Sequence, residues 1–243
     1  MKITFIGTSH GVPEADRKWT SVMVSVGENT YLVDAGSYVT DGIIRAGRTL
    51  DSLRALFVTH QHGDHMNGLP PLINIISWYF KDAAPTIFLP NEGIAEPLTA
   101  IVDFGIGEHL RDVDYRVIRE GLIYDDGVLR VRAIPTKHIL GGKFPSFAFL
   151  FEAEGKKVLF TGDLSHSCED FPREATEEDI DLVVTEGAHF CLTQKEDILS
   201  KARTKKMYVS HYYYKKNGGE IEKFAADMPF EVFLAEDGET VEV

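Results

Sequence analysis

Positions 59 to 65 read Thr59-His60-Gln61-His62-Gly63-Asp64-His65, with three imidazoles and one carboxylate directly after the apolar run Leu53-Arg54-Ala55-Leu56-Phe57-Val58. Imidazole nitrogen suits zinc, iron or manganese, and a carboxylate adds a hard oxygen donor. Such a loop can therefore furnish most of a two-metal site if its side chains turn inward. In an extended turn His60 and His62 project to one side, and Asp64 and His65 project from the returning backbone toward a second ion. The bland alternative is a polar loop rich in histidine by accident; liganding types alternating right after a strand speak against it.

Three more candidates share one local pattern. His138 follows Val131-Arg132-Ala133-Ile134, Asp163 follows Val158-Leu159-Phe160, and His211 follows Tyr208-Val209-Ser210. A side chain at a strand end is held by the sheet yet open to solvent, where metal and substrate can meet. Two divalent ions roughly 3.5–4 Å apart would hold a shared water, lower its pKa toward ~7 and brace both oxygens of an in-line displacement at phosphorus. The expected nucleophile is then a bridging hydroxide and not a side chain, in keeping with the lack of a Gly-x-Ser-x-Gly elbow.

A leaving oxygen would still need a proton. His189, in Thr185-Glu186-Gly187-Ala188-His189-Phe190, sits after a strand where it could act as general acid; the alternative is a histidine packed beside Phe190 and capped by Glu186. His10, in the glycine-rich first loop, and His166, just after Asp163, are rival acids, with turn capping and structural support as their ordinary explanations. His109 lies in a polar stretch and is expected in solvent. The runs Trp78-Tyr79-Phe80 and Tyr212-Tyr213-Tyr214, the latter followed by Lys215-Lys216, flank the site in sequence and could stack on a base or aryl group, or simply pack. Gly141-Gly142-Lys143 offers a rim loop, with Lys143 as a candidate phosphate contact.

The elements that must hold these residues are short strands punctuated by turns. Strand signals run over 2–6, 21–26, 30–33, 55–58, 86–89, 114–118, 129–134, 147–152, 157–161, 182–185, 207–210 and 231–235. Helical patterns cover 38–46, 69–80, 94–104, 195–202 and 220–226. Hairpins alternating with helices predict an α/β (α+β) fold, sheets packed inside helical layers. A faint repeat is present: Ser21 to Gly36 and Ser146 to Asp163 each read as a hairpin ending on an aspartate, Asp34 and Asp163.

At 243 residues and 44% hydrophobic the chain can bury one sizeable core, so residues 1–243 are read as a single domain. The net charge of −13 repels polyanions and disfavours extended nucleic acid. A small anionic substrate stays open, because bound divalent ions would invert the local field. Cys168 and Cys191 form no CxxC pair, no secretory signal is legible, and no apolar stretch nears the ~20 residues that span a bilayer. A cytoplasmic protein without a membrane partner is expected, and the apolar Leu69 to Phe80 segment offers a homodimer surface.

The order HxHxDH, His, Gly-Asp, His resembles the metallo-β-lactamase-fold hydrolases over essentially the whole chain. The resemblance implies a four-layer αββα sandwich with the site at one edge of its sheets. It also implies His60, His62 and His138 on one ion, Asp64, His65 and His211 on the other, and Asp163 bridging both; Asp34 would orient a metal-bound histidine. Asp64 and His189 are the residues expected to serve catalysis. Gly7-Thr8-Ser9-His10-Gly11-Val12-Pro13, Asp34 and Gly162-Asp163 look most like the ribonuclease Z and phosphodiesterase branch. Two features of that branch are missing. Only positions 139–162 lie between His138 and Asp163, leaving no room for the tRNA-gripping arm, and there is no His-Ser-Thr motif, for which His189 is the nearest substitute.

The expectation is a metal-dependent hydrolase with two divalent ions, zinc first and manganese or iron next. Its expected substrate is a small phosphodiester such as a cyclic nucleotide or a cyclic phosphate of phosphonate breakdown. Hydrolysis of a lactone, thioester or β-lactam is the alternative. A flavodiiron-type redox site is disfavoured by the presence of His62 and His65, and a non-catalytic metal-binding module by the full ligand set.

Overall fold

In the segment Phe147–Ala153 every residue but Glu152 is buried, with Phe147, Phe149 and Phe151 facing one apolar cluster and Leu150 another. Strands that alternate between two buried faces need a packing layer on each side, and that requirement sets the architecture. The computed structural model describes residues 1–243. Its strands are β1 (Lys2–Gly7), β2 (Ser21–Val26), β3 (Asn29–Val33), β4 (Leu53–Phe57), β5 (Thr86–Leu89), β6 (Tyr115–Val117), β7 (Gly121–Asp125), β8 (Arg130–Pro135), β9 (Phe147–Ala153), β10 (Lys156–Phe160), β11 (Ile180–Glu186), β12 (Thr204–Ser210), β13 (Glu231–Leu234) and β14 (Thr240–Glu242). The α-helices are α1 (Thr40–Arg45), α2 (Gly63–Met66), α3 (Leu69–Tyr79), α4 (Ala95–Ile106), α5 (Glu174–Glu177), α6 (Glu196–Leu199) and α7 (Tyr214–Asp227).

One sheet has the order β14-β1-β2-β3-β4-β5-β6 and the other β13-β12-β11-β10-β9-β8-β7. Read from β14 in the first and from β7 in the second, each has three antiparallel junctions followed by three parallel ones. Val22, Val24, Tyr31 and Phe57 of the first sheet meet Val131, Phe149, Phe151, Val158 and Val184 of the second in the central core. On the outer face of the first sheet, Met23, Leu32 and Leu56 pack against Ile43 of α1, Leu72 and Ile76 of α3, and Leu98 of α4. Leu150, Leu159, Val183 and Met207 do the same for the second with Ala175, Leu199, Ile221 and Phe224. This is the four-layer αββα sandwich of the metallo-β-lactamase type.

The hairpins of the faint repeat, β2–β3 and β9–β10, occupy equivalent places in the two sheets. Their aspartates do not. Val33 pairs with Phe57 and Phe160 with Val184, so the counterpart of Asp34 is Thr161, and Asp163 lies two residues farther along.

Several boundaries differ from expectation. Helix α7 begins at Tyr214 rather than Glu220, because Gly218 packs under the Tyr214 ring and tertiary contact outweighs the low helix propensity of Gly218-Gly219. Strands β7 and β14 were not anticipated: β7 is only half-buried and β14 has three residues, so neither carries a strong period-two signal. The expected helix over 195–202 is helical in the α sense only at Glu196–Leu199. Helix α3 turns Leu69, Leu72, Ile73 and Ile76 into its own sheet and leaves only Trp78 and Tyr79 of the apolar segment 69–80 well exposed.

Phe57 joins the two sheets at their centre, with ring centroids 4.8 Å from Phe88, 5.3 Å from Phe151 and 5.8 Å from Phe149. Phe57→Ala is expected to lower unfolding free energy by about 3–5 kcal/mol in a denaturant titration. A loss below about 1 kcal/mol would show that the sheets do not lean on this residue.

Candidate metal centre

Strands β1, β3, β4, β8, β10, β11 and β12 reach the same rim with their carboxyl ends, because each hairpin partner runs the other way. The residues just beyond those ends are His10, Asp34, Thr59-His60, His138, Asp163, Glu186-His189 and His211. The metal loop is tighter than the extended turn expected: Gly63–Met66 forms one helical turn, which carries Asp64 and His65 round to face His211. Gly36 makes that fit possible, since a Cβ there would lie 1.9 Å from the Asp64 carbonyl oxygen.

All seven expected ligands converge. His60, His62, His138 and Asp163 form one group, and Asp64, His65 and His211 the next; Asp163, His189 and His211 also meet. His62 Nδ1 lies 2.9 Å from His60 Nε2 and 3.2 Å from His138 Nε2. His211 Nε2 lies 3.3 Å from His65 Nε2 and 3.1 Å from Asp64 Oδ2. Donors around a tetrahedral ion with bonds of about 2.0–2.1 Å sit about 3.3–3.4 Å apart, so both clusters have the spacing and the mixed N/O chemistry of divalent-metal sites. Asp163 joins them: its Oδ2 is 3.6 Å from His60 Nε2 and His138 Nε2 and 3.3 Å from His65 Nε2, and its Oδ1 is 3.4 Å from His211 Nδ1. That Oδ1 is buried without a hydrogen-bond partner.

Behind the ligands is an orienting layer. Asp34, in the left-handed region at φ 61°, accepts from Thr59 N at 2.7 Å and Thr59 Oγ1 at 2.9 Å, and its Oδ2 lies 2.8 Å from His65 Nδ1. Fixing Nδ1 in this way points His65 Nε2 at the cluster. Thr59 Oγ1 also lies 3.0 Å from His60 Nδ1, and the Leu164 carbonyl 3.3 Å from His138 Nδ1. Thr59 is the contributor the sequence reading did not single out; its signal was its place between an apolar strand and the first ligand.

Burial, reinforced by neighbouring imidazoles, pushes His60 well below its ordinary pKa, and burial also lowers His62 and His138, leaving neutral nitrogens to donate to metal. For His65 burial acts downward, but the Asp163 and Asp34 carboxylates outweigh it and raise the pKa. Asp64 falls to about 2: burial acts upward and is overcome by the hydrogen bond to His211 and the charge of His65.

His189 stands at the site, its ring centroid 4.5 Å from that of His138 and stacked 5.5 Å from that of His211. Glu186 is almost wholly buried, and its Oε2 caps the backbone by accepting from Ala188 N and His189 N and lies 2.8 Å from His189 Nδ1. Burial would lower the His189 pKa, yet Glu186 and then Asp163 raise it to about 9. His10 flanks the other side, 6.1 Å from the His211 ring and 5.2 Å from Tyr213. His166 is exposed, its Nδ1 hydrogen-bonded to the His189 carbonyl, and His109 pairs with Asp103 and Asp112 at the surface. Trp78-Tyr79-Phe80 lies at the far end of α3, about 15 Å along the helix from the metal loop, and leaves the list of ligand contacts. Lys143 is exposed on the loop after His138.

Asp163→Ala is expected to reduce bound metal from two ions per chain to one or none, measured by elemental analysis after dialysis, and to abolish turnover. Two tightly held ions with full turnover would refute the bridging role.

Comparison with known proteins agrees with this geometry. A ribonuclease Z of Mycobacterium sp. (strain KMS) is 31% identical over 182 residues, covering 67% of this chain and 61% of that protein; a ribonuclease Z of Listeria monocytogenes serotype 4b is 34% identical over 141 residues, 57% and 46% respectively. The chain thus spans less than two thirds of the length of these relatives. Among solved structures, human tRNase Z, short form, superposes with a TM-score of 0.78 at 21% identity, covering 100% of this chain and 99% of that one. The Bacillus subtilis metallo-β-lactamase fold protein YhfI gives 0.79 at 19%, with the same coverage. The model of the family Anti-Pycsar protein Apyc1 matches residues 1–230, and with that match the chain belongs to this family, within the ribonuclease Z and phosphodiesterase-like branch of the metallo-β-lactamase fold.

Proposed function

We propose that residues 1–243 act as one domain, a dinuclear metal-dependent phosphodiesterase that cleaves a small anionic diester. The observation that carries this reading is Asp163, whose carboxylate lies within 3.3–3.6 Å of nitrogens from both ligand groups. Two carboxylates among the seven ligands would leave two divalent ions with net positive charge, which suits an anionic substrate on an otherwise acidic chain. The names of relatives, ribonuclease Z and a diphosphatase from the PhnP family, belong to phosphate-ester chemistry. Residues 139–162 contain only a short loop and the β9–β10 hairpin, which supports a small substrate over tRNA.

Divalent ions, when bound, supply an acidified water and brace the reacting oxygens. His60, His62, His138, Asp64, His65, His211 and Asp163 would hold them, with zinc favoured by the histidine-rich set and manganese or iron also compatible. Asp34 and Thr59 fix the tautomer and direction of the ligands. Glu186 Oε2 accepts the Nδ1–H hydrogen bond of His189, so Nε2 is the nitrogen left to protonate the leaving oxygen. His189→Ala is expected to lower kcat about 10²–10⁴-fold without loss of metal. The loss should be smaller with a nitrophenyl leaving group than with an alkyl one; equal losses would remove the acid role.

The raised pKa gives the sign of the pH profile. The acid form of His189 persists below about 9 and is lost as pH rises through that value, so turnover falls on the alkaline side. Glu186→Gln removes the first stabilising partner and is expected to move the alkaline limb down by about 1–3 units. An unmoved limb would assign it to another group.

The reading itself is tested with metal-stripped protein reloaded with zinc or manganese and assayed on an aryl phosphodiester, its monoester, a thioester and a lactone. Metal-dependent turnover of the diester is expected to dominate. Turnover of the thioester or lactone alone would make the protein a hydrolase of carboxylic substrates.

A further inference from the structure

His211 is the last ligand in the chain, and it sits at φ 47°, a left-handed conformation that non-glycine residues keep only where their surroundings impose it. The turn is needed, because it directs Nε2 away from the run of β12 and toward Asp64 and His65. What imposes it is the next residue. Tyr212 is almost wholly buried and gripped at every polar atom: its N–H donates to the Thr8 carbonyl at 3.3 Å, its hydroxyl to the Ala235 carbonyl at 3.0 Å, and its own carbonyl accepts from Arg17 Nη1 at 2.9 Å. The Arg17 guanidinium also lies over the Tyr212 ring, 3.9 Å from its centroid.

Arg17 is itself fixed. Nη1 donates to Glu14 Oε2 at 2.7 Å and Nη2 to Thr8 Oγ1 at 2.7 Å, while Thr8 Oγ1 donates onward to Asp237 at 2.7 Å. The Arg17 and Glu14 side chains are 15% and 8% exposed, so the pair is shielded where a surface pair would not be. Only a planar fork can lie flat on a ring while donating to a carbonyl, a hydroxyl and a carboxylate in its own plane. Arg17 touches no ligand side chain among its hydrogen-bond partners.

We propose that Arg17 is the positioning residue of the second metal site: by clamping Tyr212 it holds the strained backbone of His211 and hence the geometry of the Asp64, His65 and His211 ligand group. The inference rests on the metal-centre reading above, and its test separates the two. Wild-type protein is titrated with cobalt and zinc, followed by calorimetry and by the visible spectrum of bound cobalt. Binding of fewer than two ions by the wild type would overturn the metal-centre reading and the proposal with it.

If wild type binds two ions, Arg17→Met is expected to weaken one of them about 10–100-fold, as loss of an outer hydrogen-bonding partner does, and to leave the other unchanged. The cobalt spectrum of the weakened site should shift. Arg17→Lys, which keeps the charge but not the fork, should recover affinity only in part and should fold even if the Met variant does not. Arg203→Met, at the opposite end of β12 and paired with Asp179, should bind both ions as wild type does. Two ions held with wild-type affinity and spectrum by Arg17→Met, or by Arg17→Lys if the former does not fold, would overturn the proposal.

Discussion

Asp163 is the constraint around which the rest is arranged. A carboxylate this deeply buried is costly to keep ionised unless positive charge or hydrogen bonds compensate it, and here its pKa is nonetheless held well below the usual carboxylate range. Burial acts against that, and His211, His65 and His60 overcome it. No backbone N–H helps, and Oδ1 has no hydrogen-bond partner at all. The group is therefore compensated by imidazoles drawn from both sheets, with room in its coordination for cations. An ordinary structural aspartate would have been satisfied by the local backbone, as Asp126 is by Val128 and Leu129.

The same economy of charge governs the surrounding layer. Asp34 and Glu186 are also buried, and each is matched to one histidine and to backbone donors: Asp34 to His65 and Thr59 N, Glu186 to His189 and the amides of Leu164, Ala188 and His189. Their histidines differ in what they face. His65 turns its second nitrogen into the cluster, where it sits 3.3 Å from both Asp163 and His211. His189 lies beside the cluster with its second nitrogen unengaged by protein. A buried carboxylate thus orients one imidazole in each sheet, His65 toward the centre of the cluster and His189 at its side.

The convergence of the seven candidate ligands was legible in the sequence because each follows a short apolar strand and is itself a residue type seldom placed there for packing. The αββα layers were legible for a related reason: strands such as Phe147–Ala153 are apolar on both faces. What escaped the sequence depends on tertiary contact. Thr59 carries no mark that distinguishes it from any strand-capping threonine, and its role exists only because Asp34, twenty-five residues earlier, arrives beside it. The start of α7 was hidden by Gly218-Gly219, where a packed Tyr214 ring overrides propensity. The aromatic run at 78–80 misled because proximity in sequence to the metal loop is cancelled by the length of α3.

The weak internal repeat acquires a physical meaning once register replaces sequence alignment. Asp34 N donates to Phe57 O and Thr161 N to Val184 O, so Asp34 matches Thr161 and Thr59 matches Glu186. Carboxylate and hydroxyl have changed places between the two strand ends while keeping one of each. In the first sheet the carboxylate at the earlier position stays behind the ligands. In the second, the earlier position is a threonine and the chain runs on through Gly162, at φ 57° and with no room for a Cβ, since one would lie 2.8 Å from the Phe147 carbonyl oxygen. Two residues beyond the strand's pairing, Asp163 reaches past the plane that Asp34 occupies and enters the space between the ligand groups. The asymmetry that makes a binding centre out of two similar half-sandwiches therefore resides in those two residues and in the glycine that lets the backbone pass.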